Sequence, residues 1–267
     1  MSEIEFRAVE LGATALREGR EIARLTGELG DDHRWGWHAW IEYVLGEDED
    51  RELIRDLYAR AAGPWVERGY LLHYVNVPAD DEAALSAWFD LSFGKQQVYA
   101  RLELAARSRP RPESFTVRLG GPDDFEGSLA LGNLIREAHF GPPVWSGIAP
   151  RPLDELRAEW SDDSTDENDT SFVAVRGSDV LGELVMVRRD DEEVYLAYAA
   201  VRPDERGGGV GVALTEASLA WAYEQGFRRC VTDWRVTNML ASRFWPRRGF
   251  RPTRYRLHRM VRPLARA

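Results

Sequence analysis

Hydrophobic and polar positions along the second half of the chain fall into short apolar runs separated by longer mixed stretches. Residues 171–176 and 180–188 alternate or run apolar over strand lengths, and Gly177-Ser178-Asp179 joins them as a hairpin signal. A third apolar run covers 194–201. A helix-forming stretch, 212–223, follows it, then an apolar run at 228–234, a short helix at 238–245 that ends near Pro246, and a last strand at 254–261. Upstream, 115–118 reads as a strand. Residues 124–138 read as one helix begun by Pro-Asp-Asp, and 153–160 as a second helix after Pro152. Residues 161–170 form an acidic, polar loop. Strands interleaved with helices in this way predict an α/β fold (α+β, with a mixed sheet).

The first half echoes the second. Trp88-Phe89 matches Phe244-Trp245 and Tyr99 matches Tyr255, both 156 residues apart. The stretch 67–75 matches 224–232 at an offset of 157, which implies one inserted residue between the blocks. Between the halves lies a run with two prolines and several charges, where regular structure is disfavoured. The expected division is 1–106, a linker at 107–114, and 115–267. Residues 33–40 are rich in aromatics. Trp35 and Trp37 share a strand face there and read as core or packing residues. His33 and His38 have no nearby cysteine or third ligand, so no metal site is read.

Composition narrows the function. The chain has 267 residues, 44% of them hydrophobic, enough for a sizeable core in one large or two modest domains. Its 45 acidic and 35 basic residues give a net charge of −10. That argues against a nucleic-acid or membrane-surface binder, which needs a basic face. The single cysteine, Cys230, excludes an intrachain disulfide and reads as a buried, inert thiol. The start lacks a basic segment followed by an apolar one, and no run nears the ~20 apolar residues that span a bilayer. A cytoplasmic protein is the expectation.

The sharpest chemical signal is Gly207, Gly208, Gly209 and Gly211, four glycines in five positions between the apolar run 194–201 and the helix that follows. Glycine permits positive φ, so successive backbone N–H groups can converge. A helix N-terminus adds unpaired N–H groups and a positive dipole end. Together they make a cradle for a phosphate or pyrophosphate. A P-loop needs Gly-Lys-Ser/Thr, but Val212-Ala213 follows Gly211. A dinucleotide fingerprint needs a third glycine where Val212 stands. The pattern that fits is R-x-x-G-x-G, at Arg206, Gly209 and Gly211.

With that motif, and the order of elements from 115 to 261, the second half resembles the GNAT superfamily of N-acetyltransferases. The resemblance implies acetyl-CoA as acyl donor, an amine on a small molecule or peptide as acceptor, and no metal. It implies that Arg206, Gly207, Gly208, Gly209, Val210 and Gly211 hold the pyrophosphate. Ala199, Ala200 and Val201 would pair with the pantetheine arm and the thioester carbonyl. Asn238 matches the asparagine that opens the family's later short helix, and Gly249-Phe250 matches its closing Gly-Phe. The chain departs from the family seven residues after that asparagine. Many members carry there a tyrosine that protonates the leaving thiolate; here Trp245 stands, and indole does not usefully ionise. Ser242, one turn earlier, is a substitute donor. An amine acceptor must lose a proton before it attacks. Histone-type members carry a glutamate where this chain has Tyr195, so Glu193, two residues away on the same strand face, becomes a candidate base, and His139 a second. In the first half, the stretch 157 residues before the loop is 49–54, E-D-R-E-L-I, without glycine and set among acids. The expected architecture is therefore two GNAT-like domains in tandem, the first a degenerate copy without CoA, as in the tandem-GNAT proteins. Three readings stay open: an N-acyltransferase, an acyl-CoA-binding sensor or partner module that has lost turnover with the tyrosine, or a transferase acting on protein N-termini or lysines rather than small amines.

Overall fold

The computed structural model describes residues 3–32, 36–47, 49–146, 149–163 and 168–262 of the chain. His33, Trp35 and residues 164–167 of the acidic loop lie outside them. The first half builds β1 (Ile4–Val9), β2 (Gly12–Arg17), β3 (Arg20–Asp32), β4 (Gly36–Leu45), α1 (Leu53–Glu67), β5 (Leu72–Pro78), α2 (Glu82–Asp90) and β6 (Gly94–Glu103). The second builds β7 (Thr116–Leu119), α3 (Phe125–Leu131), α4 (Leu134–Phe140), α5 (Leu153–Asp163), β8 (Asp169–Arg176) and β9 (Asp179–Arg188). It continues with β10 (Glu193–Val201), α6 (Val210–Glu224), β11 (Arg229–Arg235), α7 (Met239–Arg247) and β12 (Arg251–Met260). The mixed α/β class holds, and the contacts gather into two compact units.

The first unit comprises Met1–Tyr99 and Pro252–Ala267. Its strand order is β1-β2-β3-β4-β5-β12-β6, with β1 to β4 and the β5–β12 pair antiparallel and the β4–β5 pair parallel. Helix α1 buries Leu53, Ile54, Leu57, Tyr58, Ala61 and Trp65, the i, i+3/i+4 spacing of an amphipathic face. Trp65 donates its indole N–H to the Leu11 carbonyl (3.2 Å). A Cβ on Gly27 would lie 2.6 Å from that ring, so the closeness of helix to sheet depends on glycine there. Trp37 is 55% exposed and stacks on Tyr70, so its role in a buried aromatic core is corrected. Its position explains this: alternation along β4 sends Ala39 and Ile41 into the α1 core, while Trp37 stands at the strand's open start.

The second unit comprises Ala100–Arg251, with strand order β11-β10-β9-β8-β7. The segment 107–114 belongs to it. Leu104 N–H donates to the Arg228 carbonyl (2.8 Å), and Arg107 and Arg109 pair with Glu216 and Glu224 of α6. Proline content marks this segment as irregular, but its arginines tie it to a helix. The single helix expected over 124–138 is two, α3 and α4, after a 3₁₀ turn at Pro122–Asp124. The break falls at Gly132-Asn133. Asn133 uses its side-chain amide on the backbone of Arg151 (2.7 and 3.0 Å), a long-range bond that a local pattern cannot announce.

The internal repeat is more regular than the sequence match. Strands β4 and β10, helices α1 and α6, strands β5 and β11, helices α2 and α7, and strands β6 and β12 each begin 157 residues apart. No residue is inserted, and the 156-residue pairing is a one-residue slip among adjacent aromatics. In the true register Trp88 equals Trp245 and Phe93 equals Phe250. Each pair packs edge to face, at 4.8 Å and 70° in the first unit and 5.5 Å and 78° in the second. The turns agree too: Ser92 and Gly249, 157 apart, both have positive φ (62° and 94°).

Candidate active site

In the second unit β10 and β11 pair in parallel at only three positions, from Glu193↔Arg229 to Tyr195↔Val231. A bulge between Leu196 and Tyr198 then shifts the β9 register and bends β10. Past it, β10 stays bonded to β9 through Val201, while its pairing with β11 has ended. A cavity of about 430 Å³ occupies this region. Ala199, Ala200 and Val201 line it from β10, and Leu134, Ile135 and Ala138 from α4. Asn238, Leu240, Ala241, Phe244 and Trp245 close it from α7, and Arg206, Gly207, Gly209, Val210 and Gly211 from the start of α6. The walls are mostly apolar; the charged side chains sit at the glycine end, Glu205 and Arg206, and at Glu183 on β9.

The glycine end has the geometry of an anion site. Gly207 and Gly209 both have φ 86°, and Gly209 is the N-cap of α6 in the left-handed region. This starts the helix two residues earlier than the sequence pattern did and turns its first-turn N–H groups, which have no intrahelical acceptor, toward the loop. Arg206 is fixed by donating to the Val201 carbonyl (3.3 Å). The acids beside the loop are neutralised: Arg176 grips Glu205 through two bonds (2.7 and 3.0 Å), and Arg202 grips Asp204 (2.5 Å). A polar, N–H-rich mouth leading into an apolar channel along an unpaired strand edge fits a ligand with a pyrophosphate head and a long, amide-bearing arm.

The other sequence-derived candidates fall in different places. Asn238 lines the cavity and caps α7, accepting from Leu240 and Ala241 N–H (both 3.2 Å). Trp245 is buried and forms part of the wall. Gly208 is outside the lining, with its N–H donated to Glu205 (3.3 Å). Ser242 does not line the cavity either. Glu193 stands at the far, paired end of β10, 3.6 Å from Arg229. His139, half-buried at the end of α4, sits next to the lining residue Ala138. Burial and the charge of Arg235 push its pKa below the ordinary histidine value, against the opposing pull of Asp233. Cys230 is fully buried with its thiol pushed up to about 12 by burial, so it carries no reactivity.

Four polar residues here received no role from the sequence. Tyr195 donates its hydroxyl to Asp233 (2.5 Å) across the point where β10 and β11 part. Arg235, two residues along β11 on the same face, is buried, and its carbonyl accepts from Asn238 N–H (2.9 Å). Glu183 is buried opposite Ala200 and accepts from Ser171 (2.6 Å). Burial raises its pKa above the carboxylate range, partly offset by Ser171 and Ser128 and reinforced by Asp124. The alternation of β9 and β11 marks these positions as one strand face, but nothing local says that the face borders a cavity.

The equivalent place in the first unit is closed to an anion. Glu49 stands where Arg206 does and is held by Arg17 through two bonds (2.6 and 2.7 Å). Asp50 accepts the Glu52 N–H (2.9 Å), so a carboxylate already sits at the start of α1. The N-cap Glu52 has ordinary right-handed φ (−58°) in place of the glycine turn. Strands β4 and β5 pair through four positions, His38↔Leu72 to Ile41↔Val75.

Residues 133–250 match the model of the acetyltransferase (GNAT) family, a stretch that contains the cavity's helices, strands and glycine loop. That stretch of the chain is similar to the family. Among curated proteins it is similar to a mycothiol acetyltransferase of Streptomyces scabiei (strain 87.22), 29% identical over 141 residues. The matched stretch is 52% of this chain and 44% of that protein, so the chain spans less than half of the relative it matches. Its fold is similar to that of a GCN5-related N-acetyltransferase from Sphaerobacter thermophilus, with TM-score 0.63 at 16% identity over 94% of this chain and 81% of the other. It is also similar to a tandem GNAT protein from the clavulanic acid biosynthesis pathway, with TM-score 0.54 at 14% identity over 94% and 83%. The fold is thus a two-domain GNAT arrangement.

Proposed function

We propose that the chain is an acetyl-CoA-dependent N-acetyltransferase whose second unit carries the reaction. The observation behind this reading is the opening between β10 and β11 with the glycine loop at its end. The loop's N–H groups and Arg206 take the pyrophosphate, and the free edge of Ala199–Ala200–Val201 pairs with the pantetheine arm, holding the thioester near the bulge. An amine then attacks the thioester carbonyl directly, and orientation supplies much of the rate. Trp245 gives the departing sulfur no proton. A thiol with a pKa near ~8.5 leaves tolerably as thiolate, so no dedicated acid is required. The likeness to mycothiol acetyltransferases supports an amine on a small molecule or peptide as acceptor. Among the described residues no helix is long and apolar enough to cross a membrane. The indole in place of a hydroxyl favours one second reading, an acyl-CoA sensor without turnover.

The test is thiol release from acetyl-CoA with a panel of glucosamine, spermidine, glycinamide and an alanyl peptide, alongside CoA binding by calorimetry. Release with any of these amines supports the transferase; tight CoA binding without release supports the sensor. Gly209→Glu sets a carboxylate and a strained backbone in the cradle. It is expected to weaken CoA binding at least ~100-fold with the circular dichroism unchanged, and unchanged affinity removes the donor assignment.

A further inference from the structure

Beside the donor cavity, where β10 and β11 part, the two strands bring polar side chains together next to the end of α4. Tyr195 of β10 holds Asp233 of β11 by the 2.5 Å hydroxyl–carboxylate bond, and Arg189 lies over the Tyr195 ring, 4.5 Å from its centroid. Asp233 and Arg235 share their strand face. His139 at the end of α4 is within the electrostatic reach of both. The turn after α4 pins His139 in place: its carbonyl accepts from Ser146 N–H (2.8 Å). The cluster adjoins the cavity on two sides, through Ala138 beside His139 and through Asn238, which bonds the Arg235 carbonyl.

We propose that Asp233, fixed by Tyr195, is the positioning residue for the acceptor amine and that His139, at the neighbouring end of α4, is the proton acceptor. This rests on the acetyl-transfer reading above. The pair divides the work. Asp233 attracts the ammonium group and steadies the imidazolium once it forms. His139, neutral at physiological pH because burial and Arg235 oppose its charging, is free to take a proton. Two protons leave the nitrogen in all. The first frees the lone pair and passes through His139 to solvent. The nitrogen then bonds the carbonyl carbon, the C–S bond breaks with its electrons going to sulfur, and the second proton goes to the departing thiolate. The charged groups that act on the His139 imidazole are Asp233 and Arg235, both from β11.

The experiment has two arms. In the first, the imidazole titrations of the five histidines are followed by NMR, with His139→Gln identifying the His139 signal. Asp233→Asn is expected to move that midpoint to lower pH, because the carboxylate favours the charged imidazolium. An unmoved midpoint overturns the pairing, and this arm needs no turnover. In the second, Asp233→Asn and His139→Gln are expected to lower kcat/KM for the fastest amine of the panel about 100-fold, with Tyr195→Phe in between and CoA Kd within about 2-fold of wild type. Loss of CoA affinity in step with activity, or activity within 3-fold of wild type, roughly the noise of such comparisons, overturns the proposal. If the wild type releases no thiol, the transferase reading fails, and the NMR arm still decides whether Asp233 and His139 are coupled.

Discussion

Gly249 and Gly209 hold φ values of 94° and 86°, conformations that an L side chain adopts only with strain. At Gly249 a Cβ would also come 3.1 Å from Leu102. Gly249→Ala is therefore expected to cost about 1–2 kcal/mol, read as a lower denaturation midpoint at unchanged m-value. Trp88 and Trp245 are the corresponding buried aromatics of the two repeats. Truncating either to Ala removes a large apolar surface and its edge-to-face partner, an expected loss of about 3–5 kcal/mol. The Trp245 variant also enlarges the cavity wall, so it alone should alter CoA binding. The glycine signal was legible because a positive φ has so few other solutions. The role of Asp233 was not, because an isolated aspartate in an apolar strand looks the same whether it meets a tyrosine or water.

At the scale of elements, the strand and helix types followed from apolar periodicity, while their ends depended on longer-range bonds. Asn133 splits one expected helix into α3 and α4 by bonding Arg151, and Arg107 and Arg109 fasten a proline-rich stretch to α6. The packing of α3 against β9 brings together two carboxyls with opposite pH behaviour. Arg118 holds Asp124 through two bonds (2.6 and 2.8 Å) and lowers its pKa, helped by the Gly121 N–H. That stabilisation is present above the unfolded carboxyl's pKa and is lost as pH falls through the folded one. Asp124→Asn is expected to cost about 1–3 kcal/mol at pH 7, with the difference from wild type shrinking in acid. Glu183 has the reverse sign. Its raised pKa makes ionisation a penalty on the folded state that grows as pH rises past the unfolded value. Glu183→Gln should therefore raise Tm more at pH 8 than at pH 5, a result that scanning calorimetry at the two pH values reads directly.

Over the whole molecule, two copies of one β-α-β-α-β series stand 157 residues apart, and among the described residues the second carries the positive-φ glycines before its first helix. One CoA per chain is expected by calorimetry. Arg17→Ala, which frees Glu49 in the first unit, should leave that stoichiometry at one. A second binding event would show that the first unit retains a donor site. The sequence by itself determined the α/β class, the repeat and the glycine loop, because each depends on local rules: side-chain period, aromatic spacing and the backbone freedom of glycine. Only the tertiary structure decided the register of the repeat, the membership of 107–114 and the neighbours of His139. Those depend on which distant strands lie side by side, and on where β10 and β11 stop pairing. Residues such as Tyr195 and Asp233, 38 positions apart, meet only once that geometry exists.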